Sequence, residues 1–354
     1  MIKSSIIIPT AGRPAAIKTA IQSLLDISPE QYDAEIIVVD NNTSEELSAD
    51  LHTYCNTLTG KIRYFREPSP GLSAARHRGA AEARGELLTF LDDDVEVSDT
   101  WLPAIQKGFS NPQVAMIGGP SIPKFTGSIP SWLWGFIRPT PYGGWMCGWL
   151  SLLDIGQDVS NINPNFIWGL NLSIRKHIME TCGGFHPDLV PAMYQRWQGD
   201  GETGLTMKVQ AAGYRADYLQ NAWLLHLCGP DRLNAEYFIK RAYYQGVCDS
   251  FSHTRSAPSP LFEKLRYCKI SVYLWTKGAV LRKLRRLHGL ASFQGRQSYP
   301  VKMMTDQAYC SGWRFHQYEM LGDAALQDWV RRENYLGTDI LKESEKCEIK
   351  FRSL

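Results

Sequence analysis

The sequence predicts an α/β fold built around a mostly parallel sheet, and three observations carry the prediction. The first is an alternation. A β-branched run from Ser4 to Ile8 is followed by apolar residues at helical spacing (Ala16, Ile17, Ala20, Ile21, Leu24, Leu25) and then by a second apolar run from Glu35 to Val39. Strand, helix, strand in that order is a right-handed crossover unit, which places the two strands side by side and parallel. The second is Leu87-Leu88-Thr89-Phe90-Leu91, an apolar run of the kind buried on both faces of a sheet, which stops in Asp92-Asp93-Asp94. The third is supply: 354 residues at 44% hydrophobic furnish a core for one large domain or two ordinary ones.

The elements follow in order. Pro9 ends the first strand in a loop, Thr10-Ala11-Gly12-Arg13-Pro14, and Pro14 suits the first turn of the helix that Ser28-Pro29 closes. The second strand ends at Asp40 and turns through Asn41-Asn42-Thr43-Ser44. Ile62 to Phe65 reads as a third strand, and Gly71-Leu72-Ser73 opens an alanine-rich helix that reaches Gly85 just before Leu87. Trp101 to Phe109 is an amphipathic helix and Val114 to Gly119 a further strand. Between Ser131 and Trp149, aromatic residues are interleaved with Pro and Gly, a composition that predicts an irregular loop. Such a loop covers a core, stacks on a sugar or meets a membrane edge.

Three adjacent carboxylates repel one another, and either solvent or a bound divalent cation relieves that repulsion. In open α/β sheets ligands bind at the carboxyl ends of strands, where both Asp40 and the Asp92 to Asp94 triplet fall. The chain has neither the Gly-x-Gly-x-x-Gly turn of a dinucleotide fold nor the Gly-Lys-Ser/Thr of a P-loop, so a phosphate is expected to be held through metal instead of a glycine cradle.

Other classes are disfavoured. The eight cysteines are scattered without a Cys-x-x-Cys pair, which argues for free thiols and against a zinc site or disulfide framework. No apolar segment approaches the roughly 18 to 20 residues needed to span a bilayer, and Met1-Ile2-Lys3-Ser4 runs straight into a strand, so the expected location is the cytosol. The net charge of +2 says little about partners, but its distribution is uneven. After a linker at Ser256-Ala257-Pro258-Ser259-Pro260, residues 261–296 interleave Lys264, Arg266, Lys269, Arg282, Lys283, Arg285 and Arg286 with leucines and aromatics against the single acid Glu263. That basic amphipathic segment suits an anionic membrane surface at the inner face of the cell membrane, packing on the rest of the chain, or a second copy in a homo-oligomer. No nucleic-acid motif accompanies it, and no nucleic-acid partner is expected.

The ordered motifs Ile-Ile-Ile-Pro-Thr-x-Gly-Arg, Val-Val-Asp-Asn, Gly-Leu-Ser-Ala-Ala-Arg-His-Arg-Gly and Thr-Phe-Leu-Asp-Asp-Asp continue through Phe166 to Arg175, Gly183-Gly184-Phe185, Gly201-Glu202-Thr203, Ala212-Gly213-Tyr214 and His226. Over residues 4–248 the chain thus resembles the family 2 glycosyltransferases of the GT-A fold. The resemblance implies a catalytic domain over residues 1–255, with a central mostly parallel sheet flanked by helices, and a basic, mostly helical region over 256–354. It implies inverting transfer of a sugar from a nucleotide-sugar, a UDP-sugar above all, to a saccharide or lipid-linked glycan in cell-surface polysaccharide or glycoconjugate synthesis.

Residue roles follow from the same resemblance. Asp94 and Asp92 of the Asp-x-Asp motif, with His226, are the expected ligands of Mn²⁺ or Mg²⁺, and Asp92 or Asp93 orients the donor. Asp40 accepts a hydrogen bond from the base, while Thr10, Arg13 and Arg76 line the nucleotide side. His77 departs from the family's frequent asparagine. Counting back from Ala212-Gly213-Tyr214 places Glu202 where the family carries its general base, with Asp200 two residues earlier as the alternative. Trp168 offers a ring face and Asn171 a donor and an acceptor to the acceptor sugar. Two other readings remain open: a non-catalytic carbohydrate-binding subunit that has lost the base, and a sugar-1-phosphate nucleotidyltransferase, whose Gly-Gly-x-Gly-x-Arg loop Pro9 to Arg13 matches poorly.

Overall fold

A computed structural model describes residues 3–58, 60–256 and 298–345. Thirteen strands are present among them: β1 (Ser4–Thr10), β2 (Ala34–Asp40), β3 (Ile62–Arg66), β4 (Leu87–Leu91), β5 (Val95–Val97), β6 (Val114–Gly118), β7 (Ser121–Phe125), β8 (Arg138–Pro139), β9 (Trp145–Cys147), β10 (Leu152–Asp154), β11 (Asn171–Arg175), β12 (Arg215–Tyr218) and β13 (Leu224–Cys228). The helices are α1 (Pro14–Asp26), α2 (Glu45–Thr57), α3 (Leu72–Glu82), α4 (Trp101–Gly108), α5 (Lys176–Thr181), α6 (Glu202–Ala211), α7 (Ala235–Arg255), α8 (Ser298–Gly322) and α9 (Ala324–Arg331).

The central sheet has the strand order β12-β6-β11-β4-β1-β2-β3. β11 runs antiparallel to both of its neighbours, and the other pairs are parallel. Alternation along β1 and β2 feeds two cores. Ile7, Ile37 and Val39 join Phe90, Leu172 and the α3, α5 and α6 side, while Ile6, Ile8, Ile36 and Val38 join α1, α2 and α4. The alanine-rich α3 lies close on the sheet because of Gly79, where an added Cβ would stand 2.3 Å from Ile7 Cγ2. That close approach brings Arg76, one turn earlier, over the end of β4.

A second sheet, ordered β5-β13-β7-β10-β9-β8, was not foreseen from the sequence. It absorbs much of the stretch expected to be irregular. Residues Ser131–Phe136 and Gly148–Leu150 form 3₁₀ turns, and β8 and β9 pair as a short antiparallel ladder between them. The aromatics here cover a core: Trp132, Phe136 and Trp149 surround Phe238 of α7 with ring centroids 4.8, 4.9 and 5.7 Å away. Trp134 alone of these tryptophans is mostly exposed, at 59%.

Residues 298–345 pack against the first 255. α8 lies along α7 through paired glycines, since a Cβ at Gly246 would stand 2.0 Å from the Tyr309 carbonyl and one at Gly312 1.9 Å from that of Tyr243. Trp329 and Tyr335 share a core with Trp197 and Phe251, and the Tyr335 amide donates to the Gly183 carbonyl at 2.9 Å. In its described part the C-terminal region therefore completes the same body. The basic segment 261–296 lies outside the described residues. Among the described residues no helix is long and apolar enough to cross a membrane.

Candidate active site

The carboxyl ends of β1, β2 and β4 meet on one edge of the central sheet, so Thr10, Asp40 and the Asp92 to Asp94 turn come together. Asp40 is buried. Its Oδ1 accepts from the Asn42 amide at 2.8 Å and from Asn42 Nδ2 at 2.6 Å, and its Oδ2 accepts from the Tyr64 hydroxyl at 2.6 Å. Burial, reinforced by Asp40, raises the pKa of the Tyr64 phenol.

The three aspartates differ sharply. Asp93 is fully buried, accepts from Thr10 Oγ1 at 2.6 Å and pairs with Arg13 Nη2 at 2.7 Å, so it anchors the β1 loop instead of facing a ligand. Burial pushes its carboxyl up to about 7 against the pull of Arg13. Burial would raise Asp94 as well, but the Arg13 and Arg232 guanidiniums hold it well below the usual carboxylate range. Asp92 is the most accessible of the three and receives Arg76 Nη2 at 3.1 Å.

Arg76 is nearly inaccessible, lying over the Phe185 ring at 5.0 Å. Its other nitrogen, Nη1, reaches Glu202 Oε2 at 3.7 Å. A residue expected beside a diphosphate is thus a buried bridge between Asp92 and Glu202. Gly169 makes room for it, because a Cβ there would stand 2.4 Å from Arg76 Nη2. His77 turns inward and accepts the Phe185 amide at 2.9 Å, and burial pushes its pKa down to about 3, so the departure from asparagine serves packing.

The two candidate bases point in different directions. Glu202 opens α6 toward Arg76 and the Gly169 amide. Asp200 is buried on the far side, bound to His186 Nδ1 at 2.5 Å and to the Ser252 hydroxyl. Asp188 lies close to Gly201, where a Cβ would stand 2.7 Å from its Oδ2, and burial together with Glu202 raises its pKa to about 6.

Trp168 is half-buried at the rim, with Nε1 donating to the Asn165 carbonyl at 3.1 Å. Asn171 is a correction. It is 3% exposed, its Oδ1 accepts from Trp101 Nε1 at 2.9 Å, and its Nδ2 donates to the carbonyls of Ala222 at 2.8 Å and Pro120 at 3.3 Å. The alternation of β11 turns this side chain into the core, where its amide joins three segments and has no open edge for a sugar.

His226 lies on β13 with Nε2 3.4 Å from Asp94 Oδ1. Its Nδ1 is 2.9 Å from the Leu150 carbonyl and its Nε2 is 2.7 Å from Arg232 Nη1. A guanidinium only donates, which assigns the lone pair to Nε2 and the hydrogen to Nδ1. Asp94 Oδ1 is buried and accepts no hydrogen bond among the described residues. One unpartnered carboxylate oxygen and one imidazole lone pair facing each other are donors that would suit Mn²⁺ or Mg²⁺. Among the described residues no group of three or more His, Cys, Asp and Glu side chains is arranged to hold a metal, so the remaining positions would fall to diphosphate and water. Arg232 and Asp188 escaped the sequence reading. For Arg232 the available signal was a cation in the loop directly after the His226 strand.

Residues 5–163 match glycosyl transferase family 2. That stretch carries the first four strands, the aspartate turn and Arg76. Residues 5–163 are a glycosyl transferase family 2 domain. The chain is 38% identical over 100 residues to polypeptide N-acetylgalactosaminyltransferase 5 of Mus musculus, covering 27% of this chain and 11% of that protein. The O-antigen biosynthesis protein RfbC of Myxococcus xanthus is 25% identical over 269 residues, covering 69% of this chain and 19% of RfbC. The chain therefore spans less than a fifth of the length of either relative. Among solved structures, mannosyltransferase PcManGT from Pyrobaculum calidifontis, in complex with GDP-Man and Mn²⁺, is similar with a TM-score of 0.56 at 17% identity, over 89% of this chain and 87% of that one. The fold of this glycosyltransferase domain is the GT-A arrangement expected from its sequence.

Proposed function

We propose that this glycosyltransferase moves a sugar from a nucleotide-sugar, with a UDP-sugar as the first candidate, to a hydroxyl of a saccharide or lipid-linked glycan, inverting the anomeric centre. The observation that carries the reading is the Arg76 bridge, which joins Glu202 to Asp92 in the same aspartate turn whose Asp94 lies beside His226.

Glu202, partly exposed at the start of α6, would accept the proton of the attacking hydroxyl. Arg76 fixes that carboxylate relative to Asp92, so base and donor side are held in one geometry. Thr10 and Arg13 position the aspartate turn through Asp93. Asp94 and His226 would hold Mn²⁺ or Mg²⁺, which when bound neutralises charge developing on the leaving diphosphate. A single assigned base suits one displacement and therefore inversion.

The test is nucleotide release from a panel of UDP- and GDP-sugars, with and without Mn²⁺, in the presence of saccharide acceptors. Metal-dependent release with at least one donor is expected. Nucleotide binding without turnover of any donor would favour the non-catalytic carbohydrate-binding reading.

A further inference from the structure

Resting on the metal reading just proposed, we infer that the Arg232 guanidinium occupies the metal's own seat, bridging Asp94 and His226, and must leave before a divalent cation binds. Its Nη2 is paired with Asp94 Oδ2 while its Nη1 lies 2.7 Å from His226 Nε2. These are the carboxylate and the lone pair that a cation would use. A planar guanidinium can donate to two such acceptors at once, which a point-charge ammonium on a flexible stem does not reproduce.

The loop that delivers Arg232 is firmly built. The Arg232 amide donates to the Gly229 carbonyl at 3.0 Å. Asn234 Nδ2 donates to the Pro230 and Asp231 carbonyls at 3.0 and 2.8 Å, while its Oδ1 caps α7 by accepting the Tyr237 amide at 2.9 Å. The Leu227 amide donates to the Asp94 carbonyl at 2.9 Å, tying β13 to the aspartate turn. The side chain lies over the Tyr237 ring at 6.0 Å and is largely buried. Cation and guanidinium thus compete for the His226 Nε2 lone pair and for the one Asp94 carboxylate, and the free enzyme binds metal more weakly than Asp94 and His226 alone would allow.

The experiment titrates Mn²⁺ into the full chain without nucleotide, following free Mn²⁺ by electron paramagnetic resonance. Arg232→Gln should bind Mn²⁺ about tenfold more tightly than the wild type, the scale of losing one hydrogen-bonded charge contact. Arg232→Lys should tighten binding too, because it keeps the charge but loses the fork. Arg232→Lys matching the wild type would reduce the effect to bulk charge and overturn the inference, as would unchanged or weaker binding in both variants. In the wild type, Mg²⁺ should speed hydrogen exchange of the Arg232 η-protons seen by NMR, and unaltered protection also overturns it. If Asp94→Asn abolishes Mn²⁺ binding while the Arg232 variants leave it unchanged, the metal site stands and only the seat falls. If the wild type binds no Mn²⁺ with or without nucleotide, both fall.

Discussion

Arg76 Nη1 stands 3.7 Å from Glu202 Oε2, and that contact separates the two carboxylates that the sequence left as rivals. Glu202 shares a cation with Asp92, whereas Asp200 is held by His186 and Ser252 behind α6. Glu202→Gln is therefore expected to keep nucleotide affinity and to lower kcat by roughly 10²- to 10⁴-fold, the usual scale of a lost general base. Asp200→Asn should act on stability instead, costing on the order of 1–3 kcal/mol for the disturbed buried contacts. Steady-state kinetics and urea unfolding on both variants separate the two, and a reversal of these phenotypes would hand the base to Asp200.

Asp94 is the residue on which Arg13, Arg232 and His226 converge. Asp94→Asn should remove the Mn²⁺ dependence of nucleotide binding, read as a thermal shift with UDP in the presence and absence of metal. Equal shifts under both conditions in the wild type, or an unchanged difference in the variant, would remove Asp94 from the metal site. Asp93→Asn should instead loosen the Thr10 and Arg13 contacts and lower the melting temperature, because Asp93 faces inward.

What the sequence made legible was local. An apolar strand that ends in charge reports its own position, so the ends of β1, β2 and β4 and the acids on them could be read in advance. The position of Glu202 at the start of α6 could be read because its distance along the chain from Ala212-Gly213-Tyr214 is fixed. Asn171 could not, since its role depends on Trp101 and on the Ala222 carbonyl, separated from it by 70 and 51 residues. Arg232 is hidden for the same reason, since the carboxylate that defines it, Asp94, lies 138 residues away in the chain. The second sheet escaped because strands such as β8 and β9, two and three residues long, are too short to show a period.

For Asn171 the corrected role gives a clean contrast. Asn171→Ala strips the partner from Trp101 Nε1 and from two carbonyls inside the core, and a cost of about 2–3 kcal/mol is expected for leaving such groups unsatisfied. The KM for the acceptor, measured on the folded fraction, should not move. A raised acceptor KM at unchanged stability would restore the sugar-binding role.

Asp188 supplies a pH signature. Burial and the neighbouring Glu202 raise its folded pKa from 3.8 to about 6. An acid raised in this way binds more protons folded than unfolded between those two values, so its contribution to stability is full below pH 3.8 and is lost as the pH rises through about 6. Asp188→Asn should therefore flatten the pH dependence of unfolding free energy across that window relative to the wild type. Glu202→Gln should flatten it in part, by removing the like charge while burial remains. Urea unfolding at several pH values between 4 and 7 measures this directly. A slope identical in the wild type and Asp188→Asn would show that this carboxyl keeps its ordinary pKa and that the two acids do not sense each other across Gly201.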